Sequence, residues 1–231
     1  MREIKFPQSD AKRRLLEAAE QLFADKGFEV ISVRDITKAA EANVAAVNYH
    51  FGSREGLIAA VVTRYMLPVN EERLARIEML EKRWAGKTAP LEEIIEAFVR
   101  PLVGRVRKSE LSERLFCQLL GRIFTMPKDG LPLAVEEQMK VLSDRLERLL
   151  SKALPTVAPE ELAWRMHFVA GAMIHALLNQ DVLHRLTNGA SGAPSMEAVV
   201  SRFIRFAAAG LREGVELEVV APKGPQATFD F

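Results

Sequence analysis

Only one cysteine, Cys117, stands among the 231 residues, and the chain carries just two tryptophans and two tyrosines. A single thiol excludes an internal disulfide framework and any zinc site built on several thiolates. No uninterrupted apolar run approaches the roughly 18 residues of a membrane span; the best, residues 168–178, is short and interrupted by His175. The first residues, Met1-Arg2-Glu3-Ile4-Lys5-Phe6-Pro7, lack the apolar core and small-residue cleavage site of a signal peptide. The expectation is a cytoplasmic protein with no membrane partner. An excess of one charge sign is missing too. Net charge is +1, and the first 66 residues are as nearly balanced, so any nucleic-acid role must rest on a local pattern. What is present is 48% hydrophobic and 27% charged residues, enough for a core and a solvated surface. That composition fits one large globular unit or a small module on a larger body.

Strand signals are equally scarce. Period-2 alternation is never sustained, whereas apolar residues recur at helical spacing nearly throughout, which predicts an all-α protein. A first helix is expected from Ser9 or Asp10, with Ala11, Leu15, Ala18, Ala19, Leu22 and Phe23 on one face and Gly27 as its stop. Ser32 with Asp35 has the form of a capping box and opens a short second helix to about Ala40. Asn43 is a good N-cap for a third, through about His50, after which Phe51-Gly52-Ser53 stops it and caps a fourth. The helices then lengthen: to about Trp84, near 91–107, 110–125 and 131–153, from Pro159 to about Leu183, and near 195–213, with Pro- and Gly-bearing loops between them. The resulting division is a three-helix unit at 1–52, a larger helical unit at 53–215, and a tail at 216–231 whose Pro, Gly and Gln content favours disorder.

Two short helices joined by a tight turn form a helix-turn-helix, in which the second helix can lie in a major groove and offer its side chains to base edges. Ala45 and Ala46 are small enough for close approach and for contact with thymine methyls, Val44 adds an apolar surface, and Asn43 and Asn48 can bond base edges or backbone. Ser32, Arg34, Tyr49, His50 and Arg54 suit phosphate contacts, the last at a helix N-terminus whose free N–H groups favour an anion. Each has a plainer alternative. Ser32 and Asn43 serve equally well as caps alone, Tyr49 as packing, and Val47 and Phe51 read as core.

The stretches Ser32-Val33-Arg34-Asp35-Ile36-Thr37-Lys38-Ala39-Ala40 and Asn43-Val44-Ala45-Ala46-Val47-Asn48-Tyr49-His50-Phe51-Gly52-Ser53-Arg54-Glu55-Gly56-Leu57 resemble the DNA-binding domain of the TetR family of transcriptional regulators. The resemblance covers the first helix through the start of the fourth. One position departs from it: Glu41 stands in the interhelical turn where many members carry glycine. If that turn needs a positive φ, the side chain costs about 1 kcal/mol. The resemblance implies a homodimer on a palindromic double-stranded operator, acting as a repressor, with its last two long helices paired across a two-fold axis. Residues 164–178 and 196–211, rich in small and apolar side chains, permit that pairing; packing within one chain is the alternative.

The resemblance further implies a small-molecule effector held among the central helices. Candidate ligand-binding residues are Phe98, Leu102, Phe116, Leu119, Arg122, Phe124, Met139, Met166 and Met173, with Met66 and Leu142 beside them. Arg122, flanked by Leu119, Leu120, Ile123 and Phe124, could meet a carboxylate or phosphate at a pocket mouth, or simply lie on the surface. The segments Phe116-Cys117-Gln118-Leu119-Leu120-Gly121 and Trp164-Arg165-Met166-His167-Phe168 are similar to the branch that responds to long-chain fatty acids or acyl-CoA. No metal or other cofactor is expected: His167 with His175, and Asp181 with His184, are scattered pairs without a compact motif. Neither a phosphate-binding glycine loop nor a nucleophile elbow occurs, so the chain is not read as an enzyme. Cys117 reads as a small buried hydrophobe. The remaining alternative is a helical small-molecule carrier whose hairpin is merely structural.

Overall fold

In a computed structural model of the chain, the structure describes residues 8–213 apart from 109–110, 127–129, 179–181, 183–184 and 190–194. The described residues form helices and connecting turns, with no strand among them. The helices are α1 (Gln8–Lys26), α2 (Val33–Ala39), α3 (Val44–Phe51), α4 (Arg54–Arg83), α5 (Leu91–Lys108), α6 (Glu113–Phe124), α7 (Leu133–Ala153), α8 (Pro159–Leu178) and α9 (Met196–Arg212). The all-α expectation holds. The proposed tail and the Asp181–His184 pair lie outside the described residues, as does part of the expected run to Leu183.

The head is built by α1, α2 and α3, which all pack on one another. Their apolar faces meet in Leu15, Ala19, Phe23, Ile36 and Val47, none of which reaches solvent. Phe23 and Phe28 hold ring centroids 5.0 Å apart across the turn that follows α1. Fully burying an aliphatic or aromatic side chain of this kind contributes about 1.5–3 kcal/mol. Each short helix starts where a side chain accepts one of its orphan N–H groups. Ser32 accepts from the Asp35 N–H at 3.2 Å while Asp35 accepts from the Ser32 N–H at 3.0 Å, and Asn43 accepts from the Ala46 N–H at 2.8 Å.

The fourth helix is 30 residues long and joins head to body. Ser53 caps it by accepting from the Gly56 N–H at 3.0 Å. Gly56 is demanded by close approach, because a Cβ there would sit 1.9 Å from the Phe51 carbonyl oxygen. In the body, α4 packs on α5 and α7, α6 on α8, and α9 on α5 and α8. Buried Glu20 of α1 accepts from the Tyr65 hydroxyl at 2.9 Å and pairs with Arg64 at 3.1 Å, which fixes α1 against α4. Carboxylate–guanidinium pairs tie α5 to α9: Glu92 with Arg212 at 2.6 Å, and Glu197 with Arg100 at 2.8 Å.

The turn between α2 and α3 has the backbone that the sequence left conditional. Glu41 adopts φ 49°, in the left-handed region where a Cβ crowds the chain. Its side chain is exposed and caps nothing that would offset the strain. Glu41→Gly is therefore expected to stabilise the protein by about 0.5–1 kcal/mol, the relief of strain being partly cancelled by the extra freedom of glycine in the unfolded chain. A urea denaturation midpoint that does not rise would sink this account of the turn.

Candidate nucleic-acid interface and ligand cavity

The outer face of α3 is set by which residues the head consumes. Val47 is wholly buried and Phe51 half-buried, so the helix turns the opposite side to solvent. That side carries Val44, Ala45, Asn48 and Tyr49, at helical spacing on one exposed strip. Tyr49 is 72% exposed, which removes packing as its role, and its ring stands edge-on to His50 at 4.9 Å. Ala46 and His50 are half-buried at the margin. Ser32 and Arg34 are exposed at the start of α2. The capping alternative is real for Ser32 and Asn43, whose oxygens serve their helices; the Asn43 amide NH₂ is the group left for an outside acceptor. Asp35 is held below the ordinary carboxylate range by the hydrogen bonds from the Ser32 hydroxyl and N–H.

Arg54 requires a correction. Its guanidinium does not face outward at the helix start. Nε and Nη2 donate to the Ile31 carbonyl at 3.1 and 3.0 Å, and Nη2 also donates to the Phe28 carbonyl. The turn after α1 leaves those carbonyls without helical partners, and the arginine of α4 supplies them.

Arg122 is corrected for the same reason. It projects away from the body's interior and donates to the Ala24 carbonyl at 3.2 Å and the Asp25 carbonyl at 2.9 Å, the last turn of α1. Helix ends leave such carbonyls open, and a cation there also complements the helix dipole. Gly27, at φ +99°, makes room for it, since a Cβ would lie 2.6 Å from the Arg122 guanidinium. Segment 24–31 is thus gripped by Arg122 from α6 and by Arg54 from α4.

A cavity of about 1130 Å³ opens among α4, α5, α6, α7 and α8. Four of the expected ligand residues, Phe98, Phe124, Met139 and Met166, line it, together with Met66, Ile123, Leu142 and Leu146. Leu102, Phe116, Leu119 and Met173 do not. All four are buried between helices, where Phe116 packs edge-on against Tyr65 at 5.4 Å. Sequence reasoning missed Arg73, which borders the cavity from α4, and the polar Thr125 and Ser143. His167 and His175 line the cavity as well, and no group of three or more metal-ligating side chains occurs among the described residues. Cys117 is buried, and its thiol is pushed up to about 11, mainly by burial and then by nearby Glu113. That agrees with a small hydrophobe. No described helix is long and apolar enough to cross a membrane.

A three-helix head with an exposed third helix, joined by one long helix to a helical body around a cavity, is the architecture of a helix-turn-helix regulator. Comparison with known proteins agrees. The model of bacterial regulatory proteins of the tetR family matches residues 15–61, and that of the tetracyclin repressor-like C-terminal domain matches residues 96–210. The chain belongs to the TetR family, whose members are regulators rather than enzymes. It is 41% identical over 54 residues to the probable HTH-type transcriptional regulator YttP of Bacillus subtilis strain 168, a match spanning 23% of this chain and 26% of that protein. Among solved structures it is similar in fold to the TetR family transcriptional regulator PfmR of Thermus thermophilus, at TM-score 0.54 and 18% identity over 86% of this chain and 97% of that one. It is likewise similar in fold to the fatty acid degradation regulator FadR of Bacillus halodurans, at TM-score 0.54 and 15% identity over 92% and 100% of the two chains.

Proposed function

We propose that this protein is a ligand-responsive repressor that binds a palindromic operator as a homodimer, with residues 1–52 as its DNA-binding head and 53–215 as its ligand-binding and dimerisation body. The observation that carries this reading is the exposed strip of Val44, Ala45, Asn48 and Tyr49 on α3. Small side chains let the helix seat deeply, Asn48 reads an adenine edge, and Val44 and Ala45 touch thymine methyls. Ser32, Arg34, Tyr49 and His50 hold phosphates and set the register. A dimer places two such helices about one DNA turn apart. Acting on operator DNA, the protein works in the cytoplasm.

The effector is an apolar or acyl molecule, with a fatty acid or acyl-CoA as the leading class. Its support is the cavity, whose volume exceeds the roughly 300–1,000 Å³ of ordinary small-molecule clefts and whose wall is largely apolar. The path to the head is short. Ile123 and Phe124 of α6 line the cavity, while the neighbouring Arg122 holds the last turn of α1. A ligand that favours one placement of α6 favours one placement of the head, and its differential affinity for the two states sets the loss of DNA binding.

Selection of the full chain against random duplex DNA tests the reading. An inverted repeat should emerge, and Asn48→Ala should relax the preference at one position per half-site, with a penalty of about 1–3 kcal/mol at the matched base. Weak, uniform binding to all duplexes would favour a carrier protein instead.

A further inference from the structure

Arg73 sits on the buried face of α4 in line with Met66, Val69, Ile77 and Leu80, and only 3% of it is exposed. The groups that touch its guanidinium are neutral. Nε donates to the Phe98 carbonyl at 2.8 Å, Nη1 donates to the Asn70 side-chain oxygen at 3.3 Å, and the guanidinium lies 4.1 Å from the Phe98 ring centroid. Nη2 has no hydrogen-bond partner, and neither does the side-chain amide nitrogen of Asn70, which is itself fully buried. Burial alone lowers Arg73 to about 9, with no carboxylate acting on it. The two carboxylates that border the cavity, Glu147 and Glu160, are both exposed and leave Arg73 unpaired. A buried cation is ordinarily paired or bound to an anion, because removing it from water is costly. Buried Arg165 of the same chain shows the usual solution, with Glu161 at 2.8 Å and the Leu211 carbonyl at 2.9 Å.

We infer that Arg73, with Asn70 beside it, is the anion-binding end of the cavity, so the effector is an amphiphilic acid whose carboxylate or phosphate seats on Arg73 while its apolar body lies along Met66, Phe124, Met139 and Met166. The inference rests on the cavity being the effector site. The planar guanidinium offers its spare N–H donors in the fork that suits an acid group, and Phe98, stacked on it, holds the fork in place. The cavity then sorts ligands by head group: an uncharged molecule of equal apolar area leaves the buried charge unanswered and is rejected.

The test is a calorimetric titration of the full chain with dodecanoate and, separately, with 1-dodecanol, which have the same chain and differ in charge. Dodecanoate is expected to bind about tenfold or more tightly than the alcohol. Arg73→Met should abolish that preference by weakening dodecanoate alone, and Arg73→Lys should restore part of it. Equal affinity of the two compounds for the unaltered chain overturns the role of Arg73 while leaving the cavity a ligand site. Failure of both to bind overturns the cavity reading and this inference with it. A preference surviving in Arg73→Met also overturns it, and should that variant fail to fold, the comparison on the unaltered chain decides alone.

Discussion

A chain carrying both Phe168→Glu and Phe206→Glu is expected to run as a monomer in light scattering and to bind operator DNA about 100-fold more weakly, with its helix content unchanged. The expectation comes from what α8 and α9 leave uncovered. Phe168 is 64% exposed and Trp164 56% exposed on α8, and Phe206 is 69% exposed on α9, the helix that packs beside it. On the homodimer reading proposed above, these exposed aromatics on two packed helices are the face that meets the partner. Ala209 and Gly210 are exposed on α9 and allow a facing helix to come close. Since neither phenylalanine supports the monomer's core, the substitutions spare the fold. Placed against a partner, each glutamate would have to lose its water with no cation to receive it. Dissociation then acts on DNA binding through effective concentration: once one head of a dimer is seated, the second binds as an intramolecular event, which strengthens attachment by about 10²–10⁴. A variant that keeps the dimer mass refutes this face as the interface.

The head was the most legible part of the molecule because its signals are local. A cap and the residue three positions on are enough to place α2, α3 and α4, and the helices begin where Ser32, Asn43 and Ser53 set them. The outward strip of α3 was legible for the same reason, since helical periodicity separates Val47 from Asn48 and Tyr49. The body was legible as helices and poorly as a site. Phe116, Leu119, Leu102 and Met173 have the same chemistry as Phe98, Phe124, Met139 and Met166; only the tertiary packing decides which side chains fill space and which border a cavity. The arginines were harder still. Arg54 and Arg122 look like surface cations until the last turn of α1 and the turn after it are brought against them, 23 to 26 residues from Arg54 and 97 to 98 from Arg122. Arg73 did leave a trace: Met66, Val69, Ile77 and Leu80 define a buried stripe on α4, and the arginine falls within its spacing. A charge on an apolar stripe was the available sign of a built polar site.

Arg54→Met is expected to lower the stability of the protein by about 2–3 kcal/mol without altering the salt dependence of operator binding. The guanidinium serves two carbonyls in the turn after α1, those of Phe28 and Ile31, and both residues are themselves buried. Methionine keeps much of the apolar stem, so the change isolates the hydrogen bonds, and charged donors to otherwise unserved carbonyls contribute about 1.5–3 kcal/mol each at most. The two roles once open to Arg54 have opposite signatures. A residue that neutralises a phosphate releases a counterion, so its loss makes the slope of log affinity against log salt shallower by about 0.9 and leaves the denaturation midpoint alone. A residue that holds the turn lowers the midpoint and, at a temperature where the variant stays folded, leaves the slope unchanged. The geometry favours the second outcome because Nε and Nη2 are already committed, and the remaining Nη1 lies 3.9 Å from Glu55. Loss of this grip should also loosen segment 24–31 on one side only, since Arg122 still holds it from the body; hydrogen exchange should therefore quicken at Phe28 to Ile31 more than at Ala24 and Asp25. Unchanged stability together with a shallower salt slope would return Arg54 to the phosphate backbone and leave the turn to be held by Arg122 alone.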